Sequence, residues 1–541
     1  MYSNVFQKTN PFTSKNVSWL LEQRAASHPD KVFLSWEPAN GNSREWTFSE
    51  FTSEVVFFAS GLKSSGVNYG DFVVIHLENC PEFLFAWFAC VHLGAVPVTT
   101  NIRSSKDELS YFIEHSQARF AITETNFVKS MQSCGKDLQW IACVGDFIGS
   151  AVPAEQEVIA FSSLRDKEAK FKPAETTDQD ICCVQYTSGT TNRPKGVVWT
   201  HANALWGASV NATHYKLSQT DISLIYLPLF HTNAICYSML SSLWAAATIV
   251  LQPKFSASRF WPLSLKHCCT WASTIPTVIH ALTKQSDPSG KHNYRFWGGA
   301  TCNIPGVFER WGINTIGNWG MTETISHGIV GSLDLSNSSV AIGMPANEYA
   351  IRIVDTDGDE VEMGGSGHLL IKGIPGVTLF LEYLNNKEAT EDSYDDDGWF
   401  ITGDLVMLDH DGSIVFLDRE KDVLKVGGEN VSAAEIERII MSIPNIQEAA
   451  VVSLQDEFLD EVPAAFVISN KASKDLPGQV MKKCKEMLAD FKVPTMVTVV
   501  DELPRITLNK VDKKLLRAQL KLGISNTDFI NKSKIMLNLA N

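Results

Sequence analysis

What most limits the folds open to this chain is a regular alternation along its first half. Segments with apolar residues at helical spacing trade places with short β-rich runs. Residues 50–65 set Phe51, Val55 and Leu62 along one side of a helix. Gly70-Asp71 then turns into a strand over 72–77, and 82–94 reads as a second helix. Further strands are expected at 119–123, 181–186, 223–228 and 247–251, separated by helix-length segments. That order predicts an α/β fold, a largely parallel sheet covered by helices. At 541 residues the chain is too long for one core, so at least two domains are expected.

From about residue 345 the texture changes. Short strands at 349–354, 368–373 and 413–418 are divided by turn clusters at 355–359 and 409–412. After Asp418 come strands at 446–453, 464–468 and 496–500 and helices at 433–442 and 477–491, about one small domain. The expected organisation is a large domain over 1–417, a hinge at 418–421, a small domain over 422–522 and a polar, frayed tail over 523–541.

Lys and Arg total 46 against 61 Asp and Glu, a net charge of −15. Such a surface argues against nucleic acid or an anionic membrane as the main partner. Eleven cysteines include the adjacent pairs Cys182–Cys183 and Cys268–Cys269 but no C-x-x-C, which reads as reduced intracellular thiols. The first residues lack the basic-then-apolar order of a signal peptide. The longest apolar stretch, 83–98, is broken by His92 and Pro97 and falls short of the roughly 20 residues of a membrane span. A cytoplasmic protein is expected.

The most informative segment is Tyr186-Thr187-Ser188-Gly189-Thr190-Thr191-Asn192-Arg193-Pro194-Lys195-Gly196, set between two β-like runs. Its hydroxyls, glycines and lysine form a chain of donors able to wrap an oxyanion. It is not a Walker A loop, because no Ser or Thr follows Lys195 to hold magnesium. The plain alternative is a surface hairpin. YTSGTTNRPKG resembles the signature loop of the acyl-adenylate-forming superfamily, which includes acyl-CoA synthetases, peptide-synthetase adenylation domains and luciferase-type enzymes.

Other motifs follow in the order the resemblance requires. Pro228-Leu229-Phe230-His231-Thr232-Asn233 carries a histidine, exposed in the sequence reading, that the family sets beside the acyl carboxylate; packing is the plain alternative. Gly298, Gly299 and Ala300 match the loop on adenine. Asn318-Trp319-Gly320-Met321-Thr322-Glu323 implies Thr322 at the α-phosphate and Glu323 on Mg²⁺, a hard oxygen ligand; a helix cap is the alternative. In Gly398–Leu405, Asp404 corresponds to the ribose-binding acid. Arg419 is directed at the nucleotide and Lys421 falls at the hinge. Lys425, Gly427 and Gly428 belong to a loop used in thioester formation. Lys510, after Leu503-Pro504-Arg505, matches the adenylation lysine, with Asn509 where the family has Gly. Asn tolerates a left-handed backbone better than most residues.

The resemblance covers about 17 to 516 and is nearest to carnitine/crotonobetaine-CoA ligases, through Ile371–Phe380, Gly427–Ser432 and Phe491–Pro494. It implies helix-covered sheets plus a distorted β-barrel subdomain, and a small mobile α+β C-terminal domain. It also implies ATP, Mg²⁺ and CoA, a small carboxylate substrate and a homodimer. Trp206, Phe230, Trp297 and Trp319 are expected at the acyl pocket. There they either hold a quaternary ammonium or sulfonium head by cation–π attraction or wall a pocket for an apolar or aryl acid. The expected activity is an AMP-forming acid–thiol ligase for a polar or betaine-like acid. The alternatives are a medium-chain fatty-acid or aryl-acid ligase and a non-catalytic nucleotide-binding relative.

Overall fold

The computed structural model describes residues 10–145, 157–167, 171–187, 194–299, 301–304, 306–332, 341–419, 424–426, 429–456, 459–470, 475–488, 490–505 and 511–521. They form two compact units, one of Met1–Ile351 with Ile371–Phe400, the other of Arg352–Leu370 with Ile401–Asn541.

The first unit contains two sheets. In one, six strands run parallel: Ile181–Tyr186, Val96–Thr99, Phe72–His76, Phe120–Glu124, Trp140–Val144 and Glu157–Ala160. Gly196–Thr200 and the two-residue strand Glu382–Tyr383 extend it in antiparallel sense. The other sheet has a parallel centre of Val32–Trp36, Thr248–Leu251, Ile222–Ile225, Trp271–Ser273, Phe296–Gly299 and Asn314–Trp319. The alternation in sequence therefore yields the expected parallel layers.

Helix starts are set locally. Thr47 with Glu50, Ser105 with Glu108 and Thr200 with Asn203 each form a reciprocal cap that satisfies first-turn N–H groups. Pro81–Leu93 is apolar on nearly every side, and only Glu82 escapes full burial, as suits a helix inside the core. One element has no sequence signal. Asn233–Leu240 is wound as a π-helix, a form concentrated at functional sites.

The strands Ala350–Val354, Ser366–Lys372, Phe400–Leu408 and Ile414–Arg419, most of whose residues belong to the second unit, are neighbours in that order. Among the described residues no pairing brings the first back to the last. The expected barrel is thus an open sheet, since the strand order runs on linearly and does not close on itself. The rest of the second unit is the expected α+β domain. Ile446–Asp456 pairs antiparallel with Asp460–Ser469, and Met496–Val499 adds in parallel. Ala433–Met441 and Leu476–Met487 bury Ile436, Ile440, Val480 and Cys484 in its core.

The boundary expected near 418 takes a different form. The strands just before it cluster with the C-terminal residues, so the chain passes between units three times. The hinge residue Lys421 and the tail lie outside the described residues.

Candidate active site

The segment 186–196 is flanked by the strands of a hairpin. Tyr186 lies opposite Gly196, and Thr187 N–H donates to Lys195 O at 3.0 Å. Ser188, Gly189, Thr190 and Thr191 lie outside the described residues. Lys195 directs its Nζ over the ring of Tyr383, 4.3 Å from the centroid. The Tyr383 hydroxyl in turn donates to Glu323 Oε1 at 2.9 Å. An ammonium, a phenol and a carboxylate thus stand in line, and the carboxylate is buried. A buried charge is tolerable only with such partners.

Backbone and side-chain contacts hold this line in place. Glu323 occupies the single turn Thr322–Thr324, and its carbonyl accepts from Phe380 N–H at 2.8 Å. Trp199 Nε1 donates to Thr322 O at 2.8 Å. Asn203 Nδ2 donates to the carbonyls of Val377 and Leu379 at 2.8 and 2.7 Å, which anchors the segment leading to Tyr383. Ile325, buried and β-branched, takes φ 65°, and Ser326 N–H closes the three-residue turn onto Thr324 O. A strained turn of this kind next to Glu323 fits a site fixed by its surroundings.

His231 is half-buried rather than exposed, and the preceding strand ends at Ile225. Its Nε2 is sealed, with no partner among the described residues. Burial pushes its pKa down to about 4, so the ring is neutral near pH 7. Neighbouring Thr232 contacts both Gln185 and Thr322.

Glycines of the 298–300 and 318–323 motifs lie at close approaches. A Cβ on Gly298 would stand 2.6 Å from Tyr215 Oη, and one on Gly320 would stand 2.5 Å from Tyr237 Oη. Gly299 ends the same strand as Gly298, and Ala300 lies outside the described residues. Asn318 Nδ2 donates to Tyr215 Oη at 2.9 Å. Trp319 is buried and Met321 half-buried.

Trp297 corrects an expectation. Strand alternation turns it away from Gly298 into a cluster with Phe260, Trp261 and Trp311, at 5.5, 5.9 and 5.5 Å between ring centroids. It is core, not pocket wall. Trp206 remains half-buried, its Nε1 directed at Tyr349 Oη.

In the second unit Asp404 is fully buried, and its N–H donates to Thr402 Oγ1 at 3.1 Å. It lies opposite Arg419 across an antiparallel pair. Lys425 belongs to the strand Leu424–Val426. Gly427, Gly428, Asn509 and Lys510 lie outside the described residues.

No cluster of three or more His, Cys, Asp or Glu suited to a metal occurs among the described residues. A single buried carboxylate fits magnesium, which keeps waters and substrate phosphates and takes only one or two protein carboxylates. The sequence reading missed Tyr383, Trp199, Gln185 and Thr232. For Thr232 the signal was its place beside His231; Tyr383 becomes visible only through its strand pairing.

Residues 21–384 match the AMP-binding enzyme family, and residues 435–510 match the AMP-binding enzyme C-terminal domain. The chain belongs to this family. A crotonobetaine/carnitine–CoA ligase from Salmonella paratyphi C is 33% identical over 513 residues, 93% of this chain and 99% of that protein. A protein of the same name from Proteus mirabilis is 35% identical over 506 residues, 91% and 97% of the two chains. Among solved structures, an anthranilate CoA ligase in complex with anthranoyl-AMP gives a TM-score of 0.86 at 26% identity, covering 95% of this chain and 98% of that one. The o-succinylbenzoate coenzyme A synthetase of Bacillus subtilis, in complex with ATP and magnesium ion, gives 0.79 at 29% identity, covering 93% and 99%. This family member is an acyl-adenylate-forming CoA ligase that uses ATP, magnesium and CoA. None of its described helices is long and apolar enough to cross a membrane.

Proposed function

We propose that this ligase activates a small polar or betaine-like carboxylate, of the carnitine, crotonobetaine or sulfonium-analogue kind, and transfers the acyl group to CoA. The observation that carries the choice of acid is similarity over more than nine-tenths of both chains to crotonobetaine/carnitine–CoA ligases. Trp206, Phe230 and Trp319 remain as aromatic candidates for the acyl side. A ring face near a quaternary ammonium contributes about 0.5–2 kcal/mol.

In this reading the acid's carboxylate oxygen attacks the α-phosphorus of ATP, and the bond to the bridging oxygen breaks as pyrophosphate leaves. Both reactants are anions, so catalysis is positioning and charge neutralisation. Lys195 and the donors of 187–191 hold the departing phosphates. Thr322 meets the α-phosphate, and Lys510 contacts both that phosphate and the carboxylate. Glu323 would hold magnesium, which would supply further positive charge to the phosphates. Gly298–Ala300 and Asn318–Met321 flank adenine, while Asp404 and Arg419 hold the ribose side. Neutral His231 packs at the acyl carboxylate without adding charge. The thiol sulfur of CoA then attacks the acyl carbon, and AMP leaves. The loop with Lys425, Gly427 and Gly428 serves this second step after rotation at Lys421.

The test is pyrophosphate release across carnitine, crotonobetaine, γ-butyrobetaine, sulfonium analogues, fatty acids and aryl acids, with and without CoA. The expected result is highest kcat/KM for a betaine, with turnover dependent on CoA. Lys510→Ala should abolish adenylate formation yet form thioester from supplied acyl-AMP. Preference for a fatty or aryl acid would reject the substrate assignment, and equal loss of both half-reactions would reject the role of Lys510.

A further inference from the structure

Thr232 ties together three stretches that lie far apart in sequence. Its Oγ1 is 3.1 Å from Gln185 Oε1 and 3.2 Å from Thr322 Oγ1. Gln185 is the penultimate residue of the strand that opens into the phosphate loop, and it is buried, as is Thr232. Thr322 begins the turn carrying Glu323 and is only half-buried.

A hydroxyl has one proton to give, so Thr232 donates to one neighbour at a time. If that proton goes to Gln185 Oε1, the Thr232–Thr322 hydrogen bond is kept only when Thr322 gives its own proton to Thr232. Nothing then remains for Thr322 to donate to a phosphate. Gln185 Nε2 is buried with no partner among the described residues, and a half-turn would put Oε1 in that place, so this end of the amide does not choose the orientation. A half-turn of the amide exchanges its two ends, which have nearly the same shape. Gln185 then donates to Thr232, Thr232 donates to Thr322, and the Thr322 proton is available.

We propose that Gln185 and Thr232 are positioning residues that set the direction of this relay, so that Thr322 donates its proton to an α-phosphate oxygen during adenylation. The inference rests on the role of Thr322 given above and adds the two residues that orient it. No proton is transferred; each O–H or N–H only points one way along the chain.

Gln185→Glu tests the direction. An ionised carboxylate can only accept, which reverses the relay; a protonated one can donate and restores it. Burial raises a carboxyl pKa, so recovery is expected within the range where the enzyme can be assayed. In acid-dependent ATP–pyrophosphate exchange, kcat should fall about 100-fold at alkaline pH, the cost of one lost donor to a developing oxyanion. The deficit relative to the parent enzyme should shrink steadily toward mildly acidic pH.

Gln185→Met should lose activity without such recovery. Thr232→Ser should retain most activity, and Thr232→Val should lose it. A Gln185→Glu profile parallel to the parent's, or full activity in Gln185→Met or Thr232→Val, overturns the relay. Thr322→Val separates the two readings. If it leaves adenylation unchanged, the role of Thr322 fails and the relay with it. If it impairs adenylation while the Gln185 variants behave like the parent, only the relay fails.

Discussion

Tyr383 joins a cation to a carboxylate through one ring, its face under Lys195 and its hydroxyl on Glu323. Tyr383→Phe keeps the face and removes the donor. A hydrogen bond to a charged group is worth about 1.5–3 kcal/mol, so adenylation kcat/KM should fall roughly 10- to 100-fold. The variant should need more Mg²⁺ for half-maximal rate while its thermal midpoint barely moves. A Mg²⁺ titration that overlays the parent's would overturn the proposed link between the phenol and metal binding at Glu323. The sequence singles out Glu323 and Lys195 because each sits in a contiguous motif. It does not single out Tyr383, because its place depends on a two-residue strand pairing with Val197 and Val198. Trp297 was misread for the converse reason. Sequence adjacency to Gly298 hides the fact that neighbours on a strand face opposite ways.

Between elements, one glycine decides how closely two helices approach. Gly207 lies on His201–His214, and a Cβ there would stand 2.3 Å from Cys236 Sγ on the π-helix and 3.1 Å from Ile325 Cγ2. Overpacking of this kind costs about 1–3 kcal/mol, partly offset by the roughly 1 kcal/mol that alanine gains over glycine in a helix. Gly207→Ala should lower the thermal midpoint, and Cys236→Ala in the same chain should recover part of the loss. A Gly207→Ala protein more stable than its parent would contradict the close packing. The helix expected at 50–65 was legible from its apolar spacing, whereas its start at Phe48 is set by the cap of Thr47 and Glu50. The π-winding of 233–240 was not legible, because apolar spacing alone does not distinguish it from an α-turn. Barrel closure was equally out of reach, since pairing between distant strands leaves no local signal.

At the scale of the molecule, burial holds His76, His92, His201 and His231 at pKa values of about 4, and His327 well below its ordinary value. Between the unfolded value near 6.5 and the folded value, the unfolded chain binds protons that the native chain refuses. Stability therefore rises with pH across that window and is lost as pH falls from about 6.5 toward 4. Each such histidine adds up to about 1.4 kcal/mol per pH unit to the slope. All five lie in the first unit, so its thermal midpoint should drop steeply on mild acidification. A flat midpoint between pH 6.5 and 5 would mean that the rings already carry protons in the native state.

The existence of two units was legible from length and texture. Their three chain crossings were not, because antiparallel pairing recruits 352–370 and 401–419 across intervening sequence. The division has a spectroscopic consequence. The Trp261–Trp297–Trp311 cluster is one part of a wider bias, for all fourteen tryptophans lie in the first unit and none in the second. Intrinsic indole emission is therefore a private channel for the first unit. A tryptophan introduced on the second would light up a part of the enzyme that is otherwise dark.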